Sequence, residues 1–175
     1  MSNFNGIFID KINNISLDDI LTNHLRFAWT DATIAKSRYS DNRLSPKDIR
    51  DASTNTFTES FTHTLNKKIE PLVTEYANQN KIFQLKNQGY HIVRYTEGQF
   101  FAEHTDATPE YPRRISAVVY LNDNYEGGTI TFTNIKQSFK PEENTIMIFP
   151  SSTKFSHSAD PVISGTKYAI IGFWL

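Results

Sequence analysis

From residue 88 to the end, the chain is written in short runs rich in β-branched and aromatic residues: GYHIVRY, RRISAVVYLN, GGTITFTN, ENTIMIFP and TKYAIIGFWL. Gly, Pro, Asn and Asp separate them, as turns between strands require. Within TITFT the alternation is strict, which puts Ile130 and Phe132 on one face and the threonines on the other. This half therefore predicts a compact all-β unit, either a barrel or a sandwich, and strand spacing alone does not choose between them.

Ahead of residue 88 the pattern is different. SLDDILTNHLRFA predicts an amphipathic helix, with Ser16 as N-cap, Asp18 and Asp19 in its first turn, and Leu17, Ile20, Leu21 and Leu25 at helical spacing. The polar stretch from Trp29 to Thr56 reads as a long connection with at most a short helix. FTESFTHTLNKKIEPLVTEYANQNK then places Phe57, Phe61, Leu65, Ile69, Leu72, Val73 and Tyr76 on one helical face. Pro71 lacks an N–H and is expected to kink that helix or to start a second one. With 175 residues and 38% apolar composition the chain suits one domain. We read 1–87 as a mostly helical support region and 88–175 as the β core, with the helices packed outside it.

Composition removes several classes of function. Lys and Arg total 18 against 19 Asp and Glu, so a net charge of -1 gives no footprint for nucleic acid or anionic membrane. The chain has no cysteine, which excludes disulfides, thiolate metal sites and a cysteine nucleophile, and leaves nitrogen and oxygen as the only metal ligands. MSNFNGIFIDKINN lacks a basic segment followed by an apolar core, and no apolar run approaches the ~20 residues that span a bilayer. The expectation is a cytoplasmic protein.

Chemistry concentrates in EHTDA, where His104 and Asp106 stand two residues apart. On an extended segment that spacing points both side chains the same way. Taken alone, the pair fits half of a metal site or a polar loop equally. His24 and His63 fall in predicted helices, where surface positions are expected, and His91 reads as a satisfied sheet histidine. His157 follows the apolar run TIMIFP, at the mouth of the β unit, where loops carry function. If His104, Asp106 and His157 converge, two imidazoles and a carboxylate would occupy one face of an octahedral Fe(II) and leave positions open for substrate and dioxygen. Lys167, ten residues after His157, opens the apolar strand KYAIIGFWL. It would either face inward and need an anion or extend its ammonium into water.

These residues in this order resemble the 2-oxoglutarate and Fe(II)-dependent dioxygenases, and within them the prolyl 4-hydroxylase branch. The likeness runs through YTEGQFFAEHTD, RRISAVVYLND, EGGTITF and the segment from His157 to Lys167, covering residues 90–175. It implies a mainly β fold with flanking helices (α+β), built on a double-stranded β-helix, the cupin-like jelly-roll, with iron near one open end. It also implies that His104, Asp106 and His157 are the metal ligands and that Lys167 pairs with the distal carboxylate of 2-oxoglutarate. Tyr95 and Tyr120 match tyrosines that contact the cosubstrate. Gly127 and Gly128 fit a turn that needs permissive backbone. Arg113 matches an arginine close to a peptide substrate, with Arg114 beside it leaving open which one faces the cleft. Where relatives usually carry a tryptophan near the target proline, six residues beyond Lys167, this chain has Phe173, with Trp174 next.

The resemblance further implies an oxidoreductase using Fe(II), 2-oxoglutarate and dioxygen, with ascorbate as a family companion, releasing succinate and carbon dioxide. Such chemistry needs no protein general base. The expected substrate is a proline in a protein or peptide, handled by a monomer with no nucleic-acid or membrane partner. Two alternatives are the same oxidation on another side chain or a small molecule, and a catalytically silent jelly-roll that only binds.

Overall fold

Alternation along the strands builds two cores on the two faces of one sheet. The computed structural model describes residues 2–33 and 46–175. Its strands are β1 (Ser2–Phe4), β2 (Ile7–Lys11), β3 (Thr30–Asp31), β4 (Arg50–Asp51), β5 (Ser53–Thr56), β6 (Asn87–Tyr95), β7 (Phe100–His104), β8 (Ile115–Tyr120), β9 (Glu126–Gly127), β10 (Ile130–Phe132), β11 (Gln137–Phe139), β12 (Thr145–Pro150), β13 (His157–Ala159), β14 (Val162–Ser164) and β15 (Lys167–Trp174). The major sheet has the order β1-β2-β12-β8-β15-β6-β5-β3, and a smaller one the order β11-β10-β13-β7-β4. All their pairings are antiparallel. The two sheets face each other as the expected jelly-roll, with the β9–β14 pair as a separate ribbon.

Strand β8 shows how the sequence divides the cores. Every residue of ISAVVY is buried; Ile115, Ala117 and Val119 join the outer core, while Val118 and Tyr120 turn into the space between the sheets. The outer core is closed by a long helix, which presents Phe61, Leu65, Ile69, Val73 and Tyr76 to the sheet. The inner core combines Val93, Tyr95, Met147, Phe149 and Ala169 of the major sheet with Phe101, Ile130 and Phe132 of the minor one. Lys167, Tyr95 and the metal-ligand candidates belong to this inner space.

Three expectations need correction. The first helix is shorter: α1 (Leu17–Asp19) passes into a wider π turn over Ile20–His24 and ends there. Ser16 does cap it, accepting from the Asp19 amide at 3.3 Å. Asp19 in turn accepts from Asn23 Nδ2 at 2.8 Å and lies 3.0 Å from His24 Nε2, so side chains close the turn. Second, the polar stretch from Trp29 to Thr56 carries strands β3, β4 and β5 besides a short helix α2 (Pro46–Ile49), with residues 34–45 outside the described part. STNT becomes β5 because β6 offers it a backbone ladder, Thr54 opposite Val93, and tertiary pairing overrides low β propensity. Third, of the two outcomes expected at Pro71 the second helix does not form: α3 (Glu59–Gln79) runs through it as one helix. Among the described residues no helix is long and apolar enough to cross a membrane.

Candidate metal centre

His104 closes β7 and His157 opens β13, and these strands pair antiparallel with the two histidines directly opposite. Their rings lie 4.4 Å apart, centroid to centroid. Asp106, just past the strand end, brings a carboxylate oxygen within 3.6 Å of His104 Nε2 and another within 3.8 Å of His157 Nε2. One donor atom from each of the three residues falls within 4.8 Å of the others, and all three residues are buried. The supposed convergence is therefore a geometric fact, although nothing local in the sequence joins position 106 to position 157.

The tautomers suit a cation. His104 Nδ1 lies 2.8 Å from the Ala102 carbonyl and His157 Nδ1 lies 3.0 Å from the Phe155 carbonyl. A carbonyl only accepts, so each Nδ1 carries the proton and each Nε2 turns a lone pair toward Asp106. Asp106 is held from behind by Ser116, whose hydroxyl donates to Oδ2 at 2.7 Å; Ser116 also sits 2.7 Å from the Ser151 hydroxyl. Burial alone would raise the Asp106 carboxyl, but the nearby His157 and His104 and the Ser116 hydroxyl hold it well below the usual carboxylate range. Burial and the neighbouring His157 push His104 down to about 4, so its imidazole is neutral at pH 7. A carboxylate and two imidazoles whose Nδ1 atoms are tied to backbone carbonyls form a donor set that would suit Fe(II).

A cavity of about 350 Å³ opens over these ligands and runs along the paired strands β6 and β15. Its lining follows the period of two: Tyr95, Val93 and His91 on β6, against Lys167, Ala169, Ile171 and Phe173 on β15. At the inner end Lys167 is 3% exposed. Its ammonium donates to the Gly128 carbonyl at 2.6 Å and stands 5.7 and 5.3 Å from the rings of Tyr95 and Tyr120. Burial pushes its pKa down to about 8, with Asp160 pulling the other way. Among the described residues no carboxylate lies within ion-pair distance of Lys167, so the end of the cavity is a buried cation in want of an anion. Tyr95 and Tyr120 are both buried, and burial raises both phenols, so they remain protonated donors beside that cation. Gly128 has φ +59°, and a Cβ there would meet Tyr125 Cε2 at 3.0 Å, Val162 Cγ2 at 3.2 Å and Lys167 Cδ at 3.3 Å, so this crowded turn beside the lysine suits glycine.

The outer end resolves two ambiguities. Arg113 lines the cavity with its guanidinium 3.5 Å from the centroid of the Phe173 ring, whereas Arg114 turns away and donates to the Phe83 carbonyl at 2.6 Å. Phe173 lines the cavity, while Trp174 points through the sheet to pack against Tyr90 in the outer core. His91 is more than a sheet histidine: it lines the cavity with its ring 5.9 Å from Phe173. Sequence reasoning missed Ser116, Arg50 and His91 as site residues. Ser116 left a signal, since a serine inside the apolar run ISAVVY needs a partner; Arg50 left none, because it sits in a polar stretch far from the motifs.

Comparison with known proteins agrees with this geometry. Residues 90–175 match the model of the 2OG-Fe(II) oxygenase superfamily. That match covers just under half of the chain. A protein of Acanthamoeba polyphaga mimivirus assigned to the prolyl 4-hydroxylases is 24% identical over 129 residues, 62% of this chain and 53% of its own length. The chain thus spans about half of that relative. Among solved structures, a Trichoplax adhaerens prolyl hydroxylase in complex with a hypoxia inducible factor oxygen degradation domain peptide superposes with a TM-score of 0.72, 17% identity, and coverage of 98% of this chain and 84% of that one. A viral collagen prolyl hydroxylase from Paramecium Bursaria Chlorella virus-1, as its 2-oxoglutarate complex, gives 0.61 and 24% identity over 70% of this chain and 78% of that one. At these identities the two structures establish a shared fold. Fe(II) and 2-oxoglutarate are the cofactors of the superfamily, and the buried triad and the Lys167 ammonium, with no carboxylate partner among the described residues, fit them.

Proposed function

We propose that this protein hydroxylates a proline in a protein or peptide, using Fe(II), 2-oxoglutarate and dioxygen and releasing succinate and carbon dioxide. The observation that carries the reading is one cavity with the metal-binding triad on its floor, a buried cation at one end and an aromatic shelf at the other. When bound, Fe(II) with 2-oxoglutarate and dioxygen supplies an oxidant able to convert a C–H bond into C–OH.

The chain's own residues bind, orient and exclude. His104, Asp106 and His157 hold the metal by one face, and Ser116 fixes the carboxylate so that it does not swing away. Lys167 takes the distal carboxylate of 2-oxoglutarate, assisted by the Tyr95 and Tyr120 hydroxyls, and the surrounding apolar wall of Val93, Val118 and Ala169 keeps water from competing. Phe173, held flat by Arg113, offers an apolar face on which a pyrrolidine ring can rest. Its phenyl ring stands where related hydroxylases usually have an indole, which favours one second reading, the same oxidation on a different side chain. Ascorbate as a reductant, a monomeric state and a cytoplasmic place of action belong to the same proposal.

The test is to incubate the protein with Fe(II), 2-oxoglutarate and a set of proline-containing peptides in air. A gain of one oxygen on proline, matched by succinate, is the expected result. Succinate formation with oxygen gained on another residue would select the second reading.

A further inference from the structure

The side chains that line the cavity include more cations than carboxylates. With its cofactors in place, Fe(II) and Lys167 together carry the same positive charge as 2-oxoglutarate and Asp106 carry negative charge, so the reacting core is neutral. Asp106 is the only carboxylate among the described residues that line the cavity. Two further cations line it, Arg50 and Arg113.

Arg50 is the more telling of the two. It sits on β4, opposite Phe101 of β7, and its guanidinium lies 4.6 Å from the Phe101 ring centroid. One nitrogen, Nη1, donates to the Thr33 carbonyl at 2.9 Å, the guanidinium also hydrogen-bonds the Tyr95 side chain, and Nε is buried with no hydrogen-bond partner among the described residues. Among the described residues no carboxylate pairs with it. Its field reaches the cavity interior: burial pushes His91 down to about 3, and the charges of Arg50 and then Arg113 add to that effect. A half-buried guanidinium that lines a cavity and has no carboxylate partner among the described residues costs stability unless something binds it.

We propose that Arg50 is a specificity residue that receives a carboxylate of the substrate, so that the preferred target carries an acidic group close to the residue to be hydroxylated. The proposal rests on the hydroxylase reading above and adds to it the charge of the substrate. The charge of the Arg50 guanidinium, where it lines the cavity, suits a carboxylate, and Arg113 in the same lining adds to the attraction. A net protein charge of -1 does not oppose this, because the positive potential is local to the opening. The carboxylate can come from an Asp or Glu side chain or from a peptide C-terminus, and the two sources are separable.

The experiment is fluorescence anisotropy of labelled proline peptides binding to the protein, without added iron and again with Fe(II) and 2-oxoglutarate under anaerobic conditions. Peptides with Glu, Gln or Lys near the proline are each compared as C-terminal acid and amide. The expected result is tighter binding of the Glu peptide than of the Gln peptide by about tenfold or more, as for a hydrogen bond to a charged group. Arg50→Glu should invert that order in favour of the Lys peptide, and Arg50→Lys should keep it. If only the acid C-terminus matters, the source is a chain end and the proposal stands. Equal binding of the Glu, Gln and Lys peptides as well as of acid and amide forms would overturn the proposal and leave the hydroxylase reading intact. Binding of no proline peptide in either state would overturn both.

Discussion

The two ends of the cavity are built differently. Around Lys167 and the triad every functional side chain is buried and braced: His104 and His157 by backbone carbonyls, Asp106 by Ser116, Lys167 by Gly128. At the other end His91 and Arg113 are half-buried, Tyr111 is exposed, and the contacts are rings and a guanidinium lying on one another. On the function proposed above, the inner end would take small partners of fixed shape, which rewards rigid, fully desolvated groups. The outer end would admit a larger and more varied partner, which suits groups that stay in reach of water and rely on stacking.

Breaking the inner end should have the largest effect. His157→Ala or Asp106→Ala removes a ligand from a three-residue set, and both Fe(II) binding by titration calorimetry and oxygen transfer are expected to fall to background. Next comes Lys167→Met, which leaves the distal carboxylate of 2-oxoglutarate unpaired; loss of a buried charge-assisted bond predicts a rise in its dissociation constant of about 30-fold or more. The same lysine sets a pH dependence. Its folded pKa of about 8 lies below the ordinary 10.5, so 2-oxoglutarate affinity should weaken as pH rises through about 8. Stability of the cofactor-free protein should move oppositely. Between about 8 and 10.5 the unfolded chain holds more protons than the folded one, so the midpoint of urea unfolding should increase with pH across that window. An unchanged 2-oxoglutarate affinity from pH 7 to 9.5 would contradict a role for the ammonium.

Ser116→Ala should fall between the two ends in size. It keeps the three ligands but frees the carboxylate, for which about 10- to 100-fold weaker metal binding is expected. The smallest effect belongs to the outer end: Phe173→Ala should raise the KM for peptide several-fold and by more than it raises the KM for 2-oxoglutarate. A larger rise for 2-oxoglutarate would place Phe173 at the wrong end of the cavity.

The inner end was also the legible one. The spacing His104-x-Asp106, the placement of His157 after an apolar strand, and Lys167 at the head of another reflect constraints that act within a strand, where alternation fixes which face a residue takes. Alternation also explains why Phe173 and not Trp174 meets the cavity, once Lys167 is known to face inward. What escaped was set by pairing between distant segments. Arg50 reaches the site only because β4 adds to the edge next to β7, and STNT becomes strand only because β6 is there to pair with it. Pro71 stays inside α3, whose buried face from Phe61 to Tyr76 is packed on the sheet along most of its length.

The most direct test is anaerobic addition of Fe(II) and 2-oxoglutarate to the purified protein, followed in the visible region for the weak metal-to-ligand charge-transfer band of the chelated pair. The band should appear in the native chain and be absent in His157→Ala. Folded native protein that binds neither component and shows no band would contradict the assignment of this cavity as an Fe(II) and 2-oxoglutarate site.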